Sequence, residues 1–562
     1  MSWKILPENT LVQKHLAKEL SLHPITAQLL VNRGIFDIES AQRFLSPRLA
    51  DLPDPFSLID MAPAVTRILH ALQEHEQIAI YGDYDVDGIT ATALLARFFH
   101  SIGTSVLTYI PHRIEEGYGL SQKGIEYLKQ KGAQLLITVD NGIAAKEEIA
   151  FAKTLGMEVI VTDHHTVGLL PSSAIAVVNP QRCEEGNPFR VLSGCGIAFY
   201  LACALRKRMR EENLLPQDSF DVKELLDLVA LGTIADVVPL TGINRILVST
   251  GLKQLQTTKY PGIRALMDIA SLEPTSLSTR SVAFALAPRL NAAGRLAHAD
   301  EALALLMTQD EMKATQLAQR LDHLNRDRRG LEATMFEEAL FQIQGREDGG
   351  ALIVSAPHWH PGVTGIVASK LVEQFDRPAV VIGGYPICRG SVRSTKNLNI
   401  INCLTETAQM LERYGGHAVA AGLTILPEKI EAFREMFSQI CKEHLANASP
   451  MFTSVDGSLS FNVLSPQLLD EIKLFSPFGA GNPEPLFCCD DIAIRNHRIV
   501  GEKHLKFEAF HEGISLDAIG FSLGKTRLHS MQNISITFCP EWNEWNGSRK
   551  IQLKVKELRQ RL

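Results

Sequence analysis

Apolar stretches alternate with amphipathic ones between about residue 60 and residue 240. Runs such as QIAIYGD and LLITVDN have the length of buried strands, while APAVTRILHALQEH repeats its apolar residues at helical spacing. Strands and helices that alternate through short connections predict βαβ units on a parallel sheet. Such sheets bind ligands beyond the carboxyl ends of their strands, so polar residues at those ends are the first candidates for function.

Three of the predicted strands run into an aspartate. Asp83 follows QIAIYG, Asp140 follows LLITV and Asp163 follows EVIVT. The carboxyl ends of parallel strands meet at one edge of a sheet. We therefore expect three segments that are far apart in the sequence to converge in one crevice.

Other patterns divide the rest of the chain. The N-terminal residues have the spacing of short helices, and a long Pro-free stretch predicts a helix that connects two lobes. A second α/β pattern follows it, and alternating strand-like runs near the C-terminus are typical of a small β-barrel. The predicted domains are a helical segment (1–50), a parallel-sheet α/β domain (51–304), the connecting helix (305–345), a second α/β domain (346–448) and the barrel (449–562).

Composition adds few constraints. A chain of 562 residues is too long for a single core, which agrees with several domains. Nine cysteines without a CxxC pair indicate a reducing compartment, and no signal peptide or long apolar run is present, so we expect a cytoplasmic protein. The net charge of -7 argues against a nucleic-acid binder. The argument is weak, because binding depends on where the positive residues lie and not on their sum.

The segment GDYDVDG places Asp83, Asp85 and Asp87 at every second position directly after a predicted strand. Carboxylates this close repel one another unless a cation lies among them. A solvated acidic turn is the alternative interpretation of this segment.

Further candidates strengthen the interpretation as a metal site. His164 and His165 follow Asp163, and Asp236 follows the apolar run LGTIA. Mixed carboxylate and imidazole ligands without thiolates favour Mn²⁺ or Mg²⁺. At least four carboxylates suit two ions that share a bridging ligand, the arrangement that serves in-line attack on a phosphoryl group.

Each of these residues also has a structural interpretation. Asp140 before Asn-Gly could initiate a turn, a histidine pair could be structural, and Asp236 could cap a helix. Because all of these interpretations would have to hold together, we favour a two-metal centre.

The same residues carry a resemblance. GDYDVDG, TVDNG, TDHH and GTIADVVPL are similar, in order and spacing, to the four motifs of the DHH phosphoesterase family. Further stretches resemble its branch of single-stranded-DNA-specific exonucleases, and the resemblance extends from about residue 60 to residue 557. Those stretches include PHRIEEGYGL, APRLNAAGRL, GSVRS, GGHAVAAG and PFGAGNPEPLF.

The resemblance implies a fold and an activity. The fold is a parallel-sheet DHH domain, a long helix, a second α/β or DHH-associated domain, and a C-terminal OB-fold-like β-barrel. The activity is two-metal hydrolysis of single-stranded DNA from the 5′ end, which releases 5′-mononucleotides during DNA recombination and repair.

The family's metal ligands fall on Asp83, Asp85, Asp87, Asp140, His164 and Asp236. The resemblance implies that Asp140 bridges the two ions and that His165 faces the phosphate, and it makes His165 catalytic together with the ligands other than Asp83. Relatives that act on small phosphates often carry a histidine where this chain has Tyr81. Asp83 then supplies the replacement ligand.

The resemblance also implies groups that bind DNA or phosphate. They are Arg113, Tyr118, Arg289, Arg295, Ser391, Arg393 and His417. Arginine suits bidentate phosphate contact, and an aromatic ring suits stacking on a base. A surface ion pair remains the alternative for any one arginine, and a core position remains the alternative for Tyr118.

The predicted barrel offers further positive and aromatic residues for a single strand, namely Lys503, Lys506, Arg549, Lys550, Trp542 and Trp545. The two tryptophans could equally be barrel packing. Implied partners are single-stranded DNA, a single-strand-binding protein and a RecQ-type helicase, and the implied state is a monomer without membrane association.

Two rival functions fit the motifs. One is a DHH phosphoesterase of short oligonucleotides or cyclic dinucleotides, and the other is a non-catalytic DNA-binding scaffold. The barrel and PFGAGNPEPLF favour a polymeric substrate, and the complete set of six ligand positions favours an enzyme.

Overall fold

The computed structural model describes residues 2–215, 220–345, 350–447, 452–526, 528–545 and 548–560. Its first helices and strands are β1 (Ser2–Ile5), α1 (Thr10–Glu19), α2 (Pro24–Asn32), α3 (Ile38–Leu45), α4 (Met61–Gln73), β2 (Ile78–Tyr81), α5 (Val86–Ser101), β3 (Leu107–Tyr109), α6 (Gln122–Gln130), β4 (Leu135–Val139), α7 (Lys146–Thr154), β5 (Glu158–Thr162), β6 (Ala176–Val178), α8 (Gly194–Glu211) and α9 (Leu226–Ala235).

The elements that follow are α10 (Gly242–Gln256), α11 (Pro261–Ile269), α12 (Thr279–Ser281), α13 (Ala287–Leu296), α14 (Asp300–Met307), α15 (Glu311–Ile343), β7 (Leu352–Ala356), α16 (Pro361–Phe375), β8 (Ala379–Gly383), β9 (Cys388–Arg393), α17 (Ile400–Glu406), β10 (Arg413–His417), β11 (Ala420–Ile425) and α18 (Ile430–Ala446). The last are β12 (Phe452–Val455), β13 (Gly457–Ser458), α19 (Pro466–Lys473), β14 (Phe487–Val500), β15 (His504–His511), β16 (Ile514–Gly520), β17 (Ile534–Trp545) and β18 (Ser548–Gln560).

These elements form two compact units. One unit combines Met1–Leu52, Pro239–Ser249 and Met451–Leu562, and the other combines Pro53–Val238 and Thr250–Pro450. We call them the barrel unit and the cleft unit. The five consecutive domain ranges expected from the sequence stay predictions.

The first sheet of the cleft unit has the strand order β3-β2-β4-β5-β6, and all of its pairs are parallel. The residues of β2 and β4 are completely buried, which explains their continuous apolar sequences. The order reverses between β2 and β4, and such a switch point opens a crevice beyond the carboxyl ends. The predicted parallel sheet is confirmed.

The second sheet of the cleft unit is mixed, with the order β10-β11-β9-β8-β7. Only β7 and β8 are parallel, and the other three pairs are antiparallel. Exposed and buried residues alternate along β9, so Arg389, Ser391 and Arg393 share its more exposed face.

The long helix α15 packs against α11, α13 and α14, which precede it in the sequence, and against α16 of the second α/β region. It begins at Glu311 rather than at 305, because residues up to Met307 belong to α14 and the Asp310 carboxylate caps the new helix. Asp310 accepts hydrogen bonds from the N–H groups of Met312 and Lys313. The helix thus braces the two α/β regions of the cleft unit.

The barrel unit contains a closed barrel. Strands β14, β15, β16, β18 and β17 follow one another, and a pairing between β14 and β17 closes the ring, as predicted. The N-terminal helices share one apolar core with the barrel, which includes Leu16, Leu30 and Phe507. The N-terminal segment also contributes β1, which pairs in parallel with β12. The segment was expected to be helical and therefore contains a strand as well as helices.

No helix among the described residues combines the length and hydropathy that a bilayer crossing needs. The nine cysteines are all free thiols, and eight of them are buried.

Candidate metal centre and the adjoining cleft

The segment after β2 positions three aspartates. Asp83 follows the strand and is buried. Asp85 caps α5, since its Oδ1 accepts a hydrogen bond from the N–H of Gly88 at 3.1 Å. Asp87 lies in the first turn of the same helix and is buried. A strand that passes directly into a helix therefore holds three carboxylates at one edge of the sheet.

Asp87 is held by the N-terminus of α8. Its Oδ2 accepts a hydrogen bond from the N–H of Gly194 at 2.6 Å, and its Oδ1 accepts one from the N–H of Cys195 at 3.0 Å. Gly194 also leaves room for the neighbouring carboxylate, because a Cβ there would lie 2.5 Å from the Cβ of Asp140. The helix end orients Asp87 and leaves its other lone pairs available.

Asp140 and Asp236 occupy the ends of two other elements. Asp140 follows β4 with a positive φ of 62°, a conformation that aspartate tolerates better than most residues. Asp236 follows helix α9 rather than a strand and occupies its C-terminal cap position. The next residue, Val237, has a φ of 61°, which is strained for a β-branched side chain.

His164 lies close to the carboxylates of Asp87, Asp140 and Asp236. Its Nε2 lies 3.1 Å from Oδ1 of Asp140, 3.5 Å from Oδ2 of Asp236 and 4.0 Å from Oδ2 of Asp87. The residues that the sequence predicted as ligands are therefore neighbours in space, although they come from four separate segments.

The potential ligand atoms form three overlapping groups, within each of which they lie within 4.8 Å of one another. The groups are Asp83, Asp85 and Asp140; Asp87, His164 and Asp236; and Asp140, His164 and His165. Asp140 and His164 each belong to two groups. The groups of Asp83, Asp85 and Asp140 and of Asp87, His164 and Asp236 fit two neighbouring cation positions, which adjoin where Asp140 lies 3.1 Å from His164.

Four buried atoms at this edge have no hydrogen-bond partner among the described residues. They are Oδ1 of Asp83, Oδ1 of Asp140, Nε2 of His164 and Oδ2 of Asp236. Native structures satisfy nearly all buried polar atoms, so convergent unsatisfied acceptors indicate a site that fits a cation. The donor set of carboxylate and imidazole atoms fits Mn²⁺ or Mg²⁺.

The electrostatics agree with this interpretation. Burial, followed by the charge of Asp85, raises the pKa of Asp87 to about 7, and burial with Asp87 and Asp85 raises the pKa of Asp236 to about 9. Burial and the surrounding carboxylates also raise the pKa of Asp140 well above its usual range. Burial lowers the pKa of His164 to about 4, which keeps the imidazole neutral as a metal ligand must be.

His165 faces a different environment. Its Nδ1 lies 2.8 Å from Oδ1 of Asp163, and that carboxylate also accepts hydrogen bonds from the N–H groups of His165 and Ile143. Burial alone would lower the pKa of His165, but the hydrogen bond to Asp163 and its charge raise the pKa overall. The hydroxyl of Tyr118 lies 3.0 Å from Nδ1 of His165 and donates to the backbone oxygen of Asp140.

A cluster of arginines adjoins the carboxylates. The guanidinium of Arg113 lies 4.6 Å from the ring centre of Tyr84, and Arg295 donates to the backbone oxygen of Gly362 at 2.9 Å. Burial and the nearby charges of Arg113, Arg328 and Arg393 lower the pKa of Arg295. Like charges that crowd in this way indicate a site for an anion.

A cavity of about 790 Å³ separates the two sheets and is lined by Asp163 and His165 on one side and by Arg393 and His417 on the other. A neighbouring cavity of about 420 Å³ is lined by Arg389, Arg413 and Thr424. Both cavities contact Tyr84, Arg113, Tyr118, Ser391, Gly415 and Gly422. We call them the larger and the smaller cavity.

Three cross-strand rows of β10, β11 and β9 form the wall that both cavities share. Each row contains one residue from each strand in register, and the rows are two residues apart, so their side chains share one face. In order, the rows are His417-Ala420-Arg393, Gly415-Gly422-Ser391 and Arg413-Thr424-Arg389.

Several predicted residues lie elsewhere. Arg289 contacts neither cavity and instead forms an ion pair with Asp322 of α15 at 2.9 Å, so its predicted phosphate role has no support in the structure. Tyr81 is completely buried and accepts a hydrogen bond from the N–H of Ser121. Arg549 covers the ring of Trp542 at 3.8 Å, and the side chain of Trp545 lies outside the described part.

The sequence did not single out every residue of the cleft. Tyr84 was overlooked although it stands between Asp83 and Asp85, and Asp163 was noted only as a strand end. Arg389 and Arg413 were also missed. The alternation of Arg389, Ser391 and Arg393 in CRGSVRS was a signal for Arg389, because residues two apart on a strand share a face.

Comparisons with known proteins place these regions in three domain families. Residues 77–233 match the DHH family N-terminal domain, residues 348–443 match the DHHA1 domain, and residues 455–557 match the RecJ OB domain.

Over 562 residues the chain is 37% identical to the single-stranded-DNA-specific exonuclease RecJ of Salmonella typhimurium. The aligned region covers 96% of each of the two chains. The chain belongs to the RecJ family. Thermus thermophilus RecJ in complex with Mn²⁺ matches with a TM-score of 0.86 and 31% identity, over 100% of this chain and 80% of that one. RecJ from the same organism in complex with Mg²⁺ matches with a TM-score of 0.80 and 30% identity, over 100% and 79%.

Proposed function

We propose that this chain is a metal-dependent exonuclease that digests single-stranded DNA from the 5′ end and releases 5′-mononucleotides, in DNA recombination and repair. The observation that carries the proposal is the convergence of unsatisfied carboxylate and imidazole atoms opposite an arginine-lined sheet. Membership of the RecJ family supports the choice of single-stranded DNA as substrate.

In this proposal, two divalent ions are held by Asp83, Asp85, Asp87, Asp140, His164 and Asp236. When bound, such ions lower the pKa of a water molecule and neutralise charge that develops on a phosphoryl group. The position of Asp140, which belongs to one group of ligand atoms and lies 3.1 Å from His164 of another, is consistent with its proposed role as the shared ligand.

The residues of the chain itself supply the remaining functions. His165, held by Asp163 and with a raised pKa, presents its other nitrogen to the phosphate as a hydrogen-bond donor. Arg113, Arg295, Ser391 and Arg393 hold the scissile and terminal phosphates of the strand.

Tyr118 and His417 contact the terminal nucleotide in this proposal. The Tyr118 side chain is 50% exposed, although its hydroxyl is hydrogen-bonded, so the ring is fixed in place and free to stack on a base. His417 lines the larger cavity and lies opposite His165. Stacking does not distinguish bases, which suits an enzyme that digests any sequence.

The test is a time course on a 5′-phosphorylated single strand that carries a label at its 3′ end, with Mn²⁺ or with a chelator. We expect the label to persist on ever shorter fragments only with the metal. Asp140→Asn should abolish digestion, whereas Asp268→Asn, an exposed aspartate on α11, provides a control with the same chemical change.

Immediate release of the label as a mononucleotide would reverse the proposed polarity. An intact strand under all conditions would favour an enzyme for short oligonucleotides or cyclic dinucleotides, or a non-catalytic scaffold. A titration of strand binding then separates those two.

The family resemblance also supports a single-strand-binding protein and a RecQ-type helicase as partners and a monomer as the functional state. The free cysteines support a cytoplasmic location. Co-sedimentation of the chain with each partner, at several protein concentrations, tests the partners and the monomer together.

A further inference from the structure

The smaller cavity shares Arg113 and Ser391 with the larger cavity and adds Arg389 and Arg413. We propose that it binds phosphate groups attached to the 5′ side of the terminal phosphate, so that the enzyme accepts strands with a 5′-triphosphate end. The inference rests on the proposed function, because it extends the same cleft by one anion subsite.

The first argument is charge. Arg113, Arg389 and Arg413 line the smaller cavity, and no aspartate or glutamate lines it. Among the described residues none of these arginines forms an ion pair, and Arg389 donates only to the backbone oxygen of Ile114 at 2.7 Å. The larger cavity, in contrast, includes Glu148 and Asp163. Unpaired guanidinium groups that surround a cavity without carboxylates suit a polyanion.

The second argument is the order of the three rows. The His417-Ala420-Arg393 row lines the larger cavity together with His165 and therefore lies at the metal centre. The Gly415-Gly422-Ser391 row is next, and the Arg413-Thr424-Arg389 row is farthest away. Residues two apart on a strand are separated by roughly 7 Å. If the terminal phosphate lies at Ser391, two further phosphates attached to it would therefore reach Arg389 and Arg413 of the outer row.

The third argument is the shape of the middle row. Gly415 and Gly422 present no side chain to the cleft, and a Cβ at Gly415 would meet no atom within 4 Å. Ser391 supplies the side chain of the middle row and lines both cavities. The two glycines therefore leave the wall open beside a phosphate that is held at Ser391.

The N-terminus of α16 adds a favourable field. Pro361 and Gly362, its first two residues, line the smaller cavity, and so does the hydroxyl-bearing Thr364. The positive end of a 15-residue helix stabilises an anion nearby.

The expected reaction on such a strand is the ordinary hydrolysis. Water attacks the phosphorus between the first and second nucleotides, the bond from that phosphorus to the 3′ oxygen breaks, and the 3′ oxygen takes a proton. The first product is a nucleoside 5′-triphosphate with a free 3′ hydroxyl. The remaining strand carries an ordinary 5′-phosphate, so every later product is a monophosphate.

The experiment compares one 3′-labelled strand with a 5′-hydroxyl, a 5′-monophosphate or a 5′-triphosphate end, in Mn²⁺. We expect the triphosphate strand to be digested, with one nucleoside triphosphate released per strand, as measured by ion-exchange chromatography. Inorganic tripolyphosphate should also compete with the monophosphate strand. Digestion of the monophosphate strand alone, without release of any nucleoside triphosphate, would overturn the inference and leave the proposed function intact.

Two variants locate the subsite. Arg413→Ala and Arg389→Ala should each lower the ratio of the triphosphate rate to the monophosphate rate by roughly ten-fold, because each removes a charged hydrogen-bond donor. Arg413→Lys should restore part of the ratio. The exposed Arg320 of α15, outside both cavities, offers the matched control Arg320→Ala.

An unchanged ratio in both alanine variants would contradict the assignment. Loss of rate on all three ends to the same extent would instead show that the smaller cavity carries the rest of the strand. Failure of the unaltered enzyme on the monophosphate strand would count against the proposed function itself.

Discussion

The two sheets of the cleft unit carry opposite charges on either side of the larger cavity, which Asp163 and His165 line from the first sheet and Arg393 lines from the second. The carboxyl edge of the first sheet gathers buried aspartates whose pKa values are raised by burial and by the charges of the neighbouring aspartates. The facing wall of the second sheet carries exposed or half-buried arginines, such as Arg389 and Arg393, that have no carboxylate partner within the described part of the chain. The acidic edge therefore suits cations, and the basic wall suits phosphate groups.

The contrast also concerns rigidity. The aspartates are positioned by a buried parallel sheet and by helix ends, whereas every residue of β10 is exposed. Metal ligands need fixed geometry, while a strand that advances by one nucleotide per cycle needs contacts that form and break. We expect substitutions on the acidic edge to abolish activity and substitutions on the basic wall to reduce it.

The largest expected effect is on the acidic edge. Asp87→Asn should lower kcat/KM by at least roughly 10³-fold, because it removes a ligand whose orientation depends on the N-terminus of α8. Titration calorimetry should show weaker Mn²⁺ binding in the same variant. Asp268→Asn is the control, and full Mn²⁺ affinity in Asp87→Asn would remove this residue from the site.

The next effect is on the basic wall. Arg393→Ala should lower kcat/KM on a 5′-phosphorylated strand by roughly 10- to 100-fold and have less effect on a 5′-hydroxyl strand, since a charged hydrogen bond is lost. Arg393→Lys should recover only part, because lysine lacks the planar fork. Equal losses on both ends would show that Arg393 does not contact the terminal phosphate.

A smaller effect is expected at Tyr118, which lies between the two sides. Tyr118→Ala should weaken strand binding by about 1–3 kcal/mol through lost stacking, whereas Tyr118→Phe keeps the ring and loses only the hydroxyl near His165. Fluorescence titration of a labelled strand compares the two variants. If Phe is as damaging as Ala, the hydroxyl rather than the ring is what matters.

The smallest effect concerns stability without metal. Raised carboxyl pKa values mean that the folded state binds more protons than the unfolded state above about pH 4, so stability should fall as the pH rises toward the folded values of about 7 for Asp87 and about 9 for Asp236. In chelator, Tm should therefore decrease by a few degrees from about pH 7, above which His164 is neutral in both states, to about pH 9.

Added Mn²⁺ should reverse this decrease at high pH, and Asp236→Asn should flatten it because the amide carries no charge. Differential scanning calorimetry measures both. A Tm that rises with pH in the metal-free protein would contradict the raised pKa values.

Much of the fold and of the acidic edge follows from local patterns. Continuous apolar runs identified β2, β4 and β5, and the rule for parallel strands then placed Asp83, Asp140 and Asp163 at one edge. His164 followed because it is adjacent to one of these strand ends. Asp236 was found for the same reason, although its apolar run proved to be a helix, since a short apolar run alone does not distinguish the two.

The basic wall was less accessible to such reasoning. Arg289 was expected in the cleft and is paired with Asp322, because a motif does not reveal which arginine on a helix meets a partner 33 residues away. Arg389 was overlooked although it alternates with Ser391 and Arg393, whereas Arg413 was missed because its proximity to them depends on how β10, β11 and β9 pair. The Pro239–Ser249 segment likewise joined the barrel unit, where Arg245 donates to the backbone oxygens of Phe44 and Phe475.

The residues alone thus specified the kind of chemistry. Periodicity and strand-end aspartates dictate a parallel sheet with a cation-binding edge, since both depend on interactions between near neighbours and on a general rule of sheet topology. Contacts between distant segments decided which residues form the facing wall, which residues the two cavities share, and which arginines form ion pairs. Those contacts depend on strand register and helix packing, which the sequence encodes only through the energy of the complete fold.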